Sequence, residues 1–183
     1  MSGDATLAMQ YATHERVQLL RDILRYQLEE IALEFDRWGE HRVYGPGMYV
    51  ALVCGPSVAP YADPMGANRW PEDSVRDPFA DATGFAEAAR EVAHTCDGAV
   101  IVSVDGVVNP QLVRFRSIET DDGLSYEPWM GSRHMSALDV STHPDVVTTL
   151  TLSQESGRVT VFEDGEYESV PRGKLGGRWR AEN

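Results

Sequence analysis

Lysine and cysteine are scarce in this chain of 183 residues: Lys174 is the single lysine, and there are two cysteines. Cys54 and Cys96 stand in unrelated contexts with no C-x-x-C spacing, which excludes a disulfide framework and a zinc-ribbon type of metal site and fits a reducing, cytoplasmic compartment. Long apolar runs are missing as well. No stretch approaches the ~18 residues that a bilayer-crossing helix needs, so no membrane is expected as a partner. The start, MSGDATLAMQYATHER, carries Asp4 and neither a basic opening nor a long apolar region, so no secretory signal is expected. Basic residues are outnumbered, 16 against 29 acidic, for a net charge of −13. Such a surface repels nucleic-acid backbones, so no nucleic acid is expected as a partner, and an anionic ligand needs a local basic pocket. Acidic excess with arginine as the main cation is the composition a high-salt cytosol favours, and a halophilic source is the expectation. No Walker P-loop, G-x-G-x-x-G or G-x-S-x-G elbow occurs.

What is present reads as one α/β (α+β) domain, a mixed central sheet flanked by helices. Apolar residues Val17, Leu20, Leu24, Ile31, Phe35 and Trp38 recur at helical steps, predicting a helix from Thr13 as cap to a stop at Gly39. We divide the chain into an N-terminal helical segment (1–45), a main domain (46–170) and a flexible tail (171–183). Tyr49–Cys54 is predicted as a buried strand between Gly/Pro turns, and 61–84, with three prolines and no periodicity, as a long surface loop. A second helix is predicted over Thr83–Thr95 with Thr83 as N-cap. It runs into AVIVSV, a DG turn and VV, a tightly turned strand pair. A short helix is expected over MSALDVS. VVTTLTLSQESGRVTVFEDGE reads as a hairpin followed by a further DG turn.

Three constellations could carry chemistry. In CDGAV, Asp97 and Gly98 fall at the mouth of a buried strand, where the carboxylate can hold a divalent metal or accept a hydroxyl proton and the glycine admits a ligand to the backbone. Read alone, the dipeptide is more often a plain turn, as Asp105 and Asp164 illustrate. In GSRHMSALDVSTHPDVV, Gly131, Ser132, Arg133 and His134 open a candidate helix, and backbone N–H groups, a hydroxyl and a guanidinium there make an anion cradle. The alternative is an exposed arginine beside a capping serine. In SQESG, Ser153 and Glu155 could line the same mouth or simply form a hairpin turn. His94 and Cys96 lack a third ligand for zinc.

Taken in order, DGAVIVSVDGVV and GSRHMSALDVSTHPDVVTTLTLSQESGRVTVFEDGE resemble the diadenylate cyclase domain of the DNA-integrity scanning proteins, over about residues 97–167. The family pattern is a DGA motif, then G-T-R-H-R-A-A, then S-E-E-T-G. The acidic form with RHMSA looks like the archaeal branch, that of halophiles in particular. The resemblance implies a diadenylate cyclase-like fold and condensation of two ATP into cyclic di-AMP with release of two pyrophosphates, at a face-to-face homodimer or higher homo-oligomer with Mg²⁺ or Mn²⁺. It implies Asp97 at the 3′-hydroxyl and the metal, Gly98 and Ala99 against the nucleotide, and Ser132, Arg133 and His134 on the triphosphate. Ser153 and Glu155 would lie beside the nucleotide, and an adenine-stacking residue would come from Leu112 to Ile118. Met135 stands where the family has a second arginine, and Arg114, Arg116 and Arg158 are the candidates to replace it. The same departure also admits a domain that binds ATP or cyclic di-AMP without turnover.

Overall fold

The computed structural model describes residues 6–117 and 124–176. Its centre is one sheet of seven strands: β1 (Met48–Val53), β2 (Ala62–Arg69), β3 (Ala99–Ser103), β4 (Gln111–Phe115), β5 (Val146–Leu152), β6 (Val159–Glu163) and β7 (Glu166–Val170). Their order is β2-β4-β3-β1-β5-β6-β7. Only β1 and β3 run parallel, so the sheet is mixed, as the sequence predicts. Parallel neighbours need a long crossover, supplied here by the segment holding β2 and helix α3 (Ala82–Thr95).

The middle strands are covered on both faces, which is why MYVALV and VVTTLTL are apolar or threonine-rich without alternation and buried throughout. On one face, Met48, Val50 and Leu52 of β1 pack with Leu20, Leu24, Leu28 and Ile31 of α2 (Glu15–Glu34) and with Phe85, Ala89 and Val92 of α3. On the other, Tyr49, Ala51 and Val53 pack beneath Ala137, Leu138 and Val140 of α4 (Ser132–Val140). Threonines suit this second face because a hydroxyl can be satisfied overhead. Thr149 donates to the Ala137 carbonyl of α4 at 2.7 Å.

Several expectations need correction. The predicted first helix is α2, capped by His14, whose Nδ1 accepts from the Arg16 amide, and not by Thr13, which is instead the C-cap of a short helix the sequence reading did not include, α1 (Leu7–Ala12). Helix α2 stops at Phe35 because its last carbonyls are taken by side chains. The Trp38 indole folds back to donate to Ala32 at 2.8 Å, and Arg172 reaches the carbonyls of Ala32, Leu33 and Phe35. The start of the predicted 61–84 loop is the edge strand β2. Pro64 and Gly66 are tolerated there because an edge needs only one ladder, and its exposed pattern erased any periodicity. Asp81, not Thr83, caps α3, its carboxylate accepting the Gly84 amide at 3.0 Å. The predicted helix over MSALDVS begins three residues earlier, at Ser132 just after Gly131, and the last DG turn leads into β7. Residues 171–176 of the expected flexible tail are anchored by Arg172 and by Leu175, which is fully buried. Residues 177–183 lie outside the described residues.

Candidate functional site

β1 and β3 start at the same end of the sheet, and β5, running the other way, ends there. Three separated stretches of sequence therefore meet: the approach to β3 (Asp97, Gly98), the exit from β5 (Ser153 to Glu155) and the entrance to α4. Among the described residues no side chain caps the N-terminus of α4, so the first amides of that helix carry no helical partner and point outwards.

Two cavities flank the Arg133 side chain. The first, about 460 Å³, is lined by Gly98, Ala99, Ser132 and Arg133 and walled by Tyr49, Met65, Val113 and Phe115, with Arg114 and Ser136 at its border. The Tyr49 phenol meets the Ser136 hydroxyl at 3.3 Å, and the Tyr49 and Phe115 rings meet edge to face at 5.7 Å. This wall is apolar and flat-sided. Gly98 takes φ +95°, and a Cβ there would come within 2.9 Å of Met65 and 3.0 Å of the Val113 carbonyl, so glycine is required by both backbone and space. The second cavity, about 160 Å³, is polar. It is lined by Gly131, Ser132, Arg133, His134, Thr151, Ser153, Gln154 and Glu155, with Trp129 at one side.

Two residues that line the second cavity carry a buried polar atom with no partner among the described residues: Nε2 of His134, a residue 6% exposed, and Oγ1 of Thr151, 1% exposed. An unpaired buried polar group costs ~1–3 kcal/mol, so their joint presence in one cavity signals a polar occupant. Burial pushes His134 down to about pKa 4, helped by the cations Arg158 and Arg133, so its imidazole is neutral at neutral pH. The ring is held edge to face against Trp129 at 5.2 Å, and Arg158 lies over the other ring system at 4.7 Å from the Trp129 centroid.

Arg133 joins the cavities. Its Nη2 lies 3.4 Å from Oδ1 of Asp97, whose side chain is 80% exposed. A pair that open is worth at most ~1 kcal/mol, so a ligand can displace it cheaply. Asp97 itself stands at the rim and lines neither cavity. The other residues singled out in the sequence, Gly98, Ala99, Gly131, Ser132, Arg133, His134, Ser153 and Glu155, line one or both. Of the range Leu112–Ile118, Val113, Arg114 and Phe115 reach the first cavity. Leu112 is buried in the core beneath α2 and α3, and Ile118 lies outside the described residues. Sequence reasoning missed Tyr49, Met65, Ser136, Thr151 and Trp129. Met135 is 37% exposed and lines neither cavity. Arg116 is taken by Asp63 and the Ala59 carbonyl, and Arg158 by Trp129 and Ser169.

Among the described residues no group of three or more His, Cys, Asp or Glu side chains is placed to hold a metal. One rim carboxylate beside an anion cradle is nonetheless the donor set suited to Mg²⁺ or Mn²⁺, which keep water and substrate phosphate as most of their ligands. Asp97 is the residue that would hold such an ion. A cavity of similar size, about 480 Å³, lies between α2 and the β6–β7 hairpin, but its arginines, Arg21 and Arg25, are paired with Glu163 and Glu168 and its rim is acidic. It has no affinity to offer an anion.

Two neighbouring cavities that share Ser132 and Arg133 in their linings, one with an apolar wall and one polar, suit a ligand with an apolar end and an anionic end. Residues 82–167, a little under half of the chain, match the family described as DisA bacterial checkpoint controller nucleotide-binding. In fold the chain is similar to a double mutant of DacA from Staphylococcus aureus, at TM-score 0.50 and 16% identity over 90% of this chain and 95% of that one. It is also similar to a hypothetical membrane spanning protein from Bacillus cereus, at TM-score 0.56 and 12% identity over 82% of this chain, which spans 62% of that one. Among the described residues no helix is long and apolar enough to cross a membrane. No curated protein sequence matches the chain.

Proposed function

We propose that this protein is a diadenylate cyclase of the cytoplasm, a nucleotidyltransferase that condenses two ATP into cyclic di-AMP and two pyrophosphates. The observation that carries the reading is the pair of orphaned buried groups, His134 Nε2 and Thr151 Oγ1, on residues lining a polar cavity that shares Arg133 with an apolar-walled one. Adenine fits between Val113, Phe115, Tyr49 and Met65. The triphosphate then runs past Arg133 into the cradle of Ser132, His134, Thr151, Ser153 and the α4 amides. The family match over 82–167 supports a nucleotide as the occupant.

The chemistry asks little of the side chains beyond placement and charge. In each half-reaction the 3′-oxygen of one ATP bonds to the α-phosphorus of the other, the bond from that phosphorus to the bridging oxygen breaks, and pyrophosphate leaves with the electron pair. The 3′-hydroxyl proton passes to Asp97, exposed at the rim, and on to water. Displacing Asp97 from Arg133 frees the carboxylate for this role and the guanidinium for phosphate. A divalent ion, when bound, supplies neutralisation of the phosphate charge. Neutral His134 offers a hydrogen bond without adding a fixed cation that would hold the leaving pyrophosphate too tightly.

A single site holds one ATP, so two chains must oppose their rims, which makes the active species a dimer of facing subunits. Met135, where the family has an arginine, lines neither cavity. Incubation with ATP and Mn²⁺, with mass spectrometry for cyclic di-AMP, tests the proposal. ATP affinity without product would reduce the protein to a binding domain of the same fold.

A further inference from the structure

The site has a wall that the family match over 82–167 does not include. Gly47, immediately before β1, does not need a left-handed backbone, so its lack of a side chain must serve space. A Cβ there would sit 2.7 Å from Nη1 of Arg133 and 2.9 Å from Cβ of Gln154. Both neighbours line the polar cavity. The Gly47 amide is fixed by the Ala93 carbonyl at 3.0 Å, and the Gly45 amide by that of Gln154 at 2.8 Å, so this stretch cannot drift away from the guanidinium. Behind it, the Trp38 ring is wedged between two further glycines. A Cβ on Gly45 would run into that ring, and one on Gly157 would approach it at 2.7 Å.

We infer that Gly47 is a positioning residue: the bare backbone before β1 forms the seat against which the Arg133 guanidinium lies, between Asp97 and the polar cavity. The inference rests on the nucleotide reading of that cavity and assigns part of the site to the stretch just before β1, outside the matched residues. With a methyl group in the seat, the Arg133 guanidinium, the far end of a flexible side chain, must swing outwards, while Cβ of Gln154 at 2.9 Å yields only through a small shift of its own backbone.

The test is a double-mutant cycle on ATP affinity with Gly47→Ala, Arg133→Ala and the double variant, alongside a crystal structure of Gly47→Ala. Each single change should weaken ATP binding about 10-fold, the scale of one lost charge-assisted contact. In the Arg133→Ala background, Gly47→Ala should weaken it by less than about 2-fold, because the group it displaces is already gone. The melting temperature of Gly47→Ala should fall by a few degrees at most, the variant staying folded at the assay temperature, and its structure should show Arg133 moved off the seat. Multiplying effects across the cycle, or an Arg133 that keeps its place, overturns the positioning role. A parent protein that binds tripolyphosphate with the same cycle but does not bind ATP sinks the nucleotide reading and keeps the seat. One that binds neither overturns both.

Discussion

His134 should make the protein sensitive to mild acid, with a size and sign the structure sets. Its imidazole is 6% exposed and its pKa is pushed down from 6.5 to about 4, first by burial and then by Arg158 and Arg133. The unfolded chain therefore binds a proton below pH 6.5 that the native chain refuses until about pH 4. Stability is complete above 6.5 and is lost progressively as pH falls towards 4. Over the full window this amounts to at most about 3 kcal/mol, at about 1.4 kcal/mol for each pH unit. His134→Gln keeps a hydrogen-bonding side chain of similar reach and removes the titration. Urea denaturation of parent and variant between pH 4.5 and 7.5 should give a stability difference that shifts in the variant's favour by about 2 kcal/mol on acidification. His143, also shifted down by burial, and the carboxylates titrate in both proteins and cancel in that difference. Parallel pH profiles would refute the account of a buried, neutral histidine.

Thr151→Val removes an unpartnered buried hydroxyl and keeps the shape, so it should leave stability unchanged or raise it by about 1 kcal/mol while weakening ATP binding several-fold, as read by calorimetry of both properties. Arg172→Ala strips the side chain that reaches three carbonyls at the end of α2 and should cost about 1–2 kcal/mol in urea titrations, with no change in ATP affinity. With 29 acidic against 16 basic residues, the parent should lose helical circular dichroism on dialysis from molar salt to low salt, and retention of the full signal at both would remove the halophilic assignment.

The lining of the polar cavity was largely legible because its pieces are contiguous: Gly131 to His134 is one helix start, and Ser153 to Glu155 one turn. Their meeting was legible only through resemblance, since it depends on β5 running antiparallel to β1. Thr151 could not be singled out from its strand. Thr149 has the same type and burial and sits on the same face, yet it is satisfied by Ala137, and only the geometry of α4 separates the two. Tyr49 and Met65 were hidden for a different reason: one reads as a core strand residue and the other as part of a loop. β2 escaped detection because an exposed edge strand with proline and glycine carries no alternation. Gly47 looked like one half of a turn, and its use as a seat for Arg133 depends on a residue 86 positions away.

Cyclic di-AMP formation from ATP and Mn²⁺, measured by mass spectrometry for the parent and for Asp97→Asn, separates a working cyclase from a binding domain. The parent should produce cyclic di-AMP and pyrophosphate in a ratio of one to two. The variant should bind ATP and melt as the parent does, its side chain being 80% exposed, yet form no product. Product from Asp97→Asn at the parental rate, or none from a parent that binds ATP, would contradict the account.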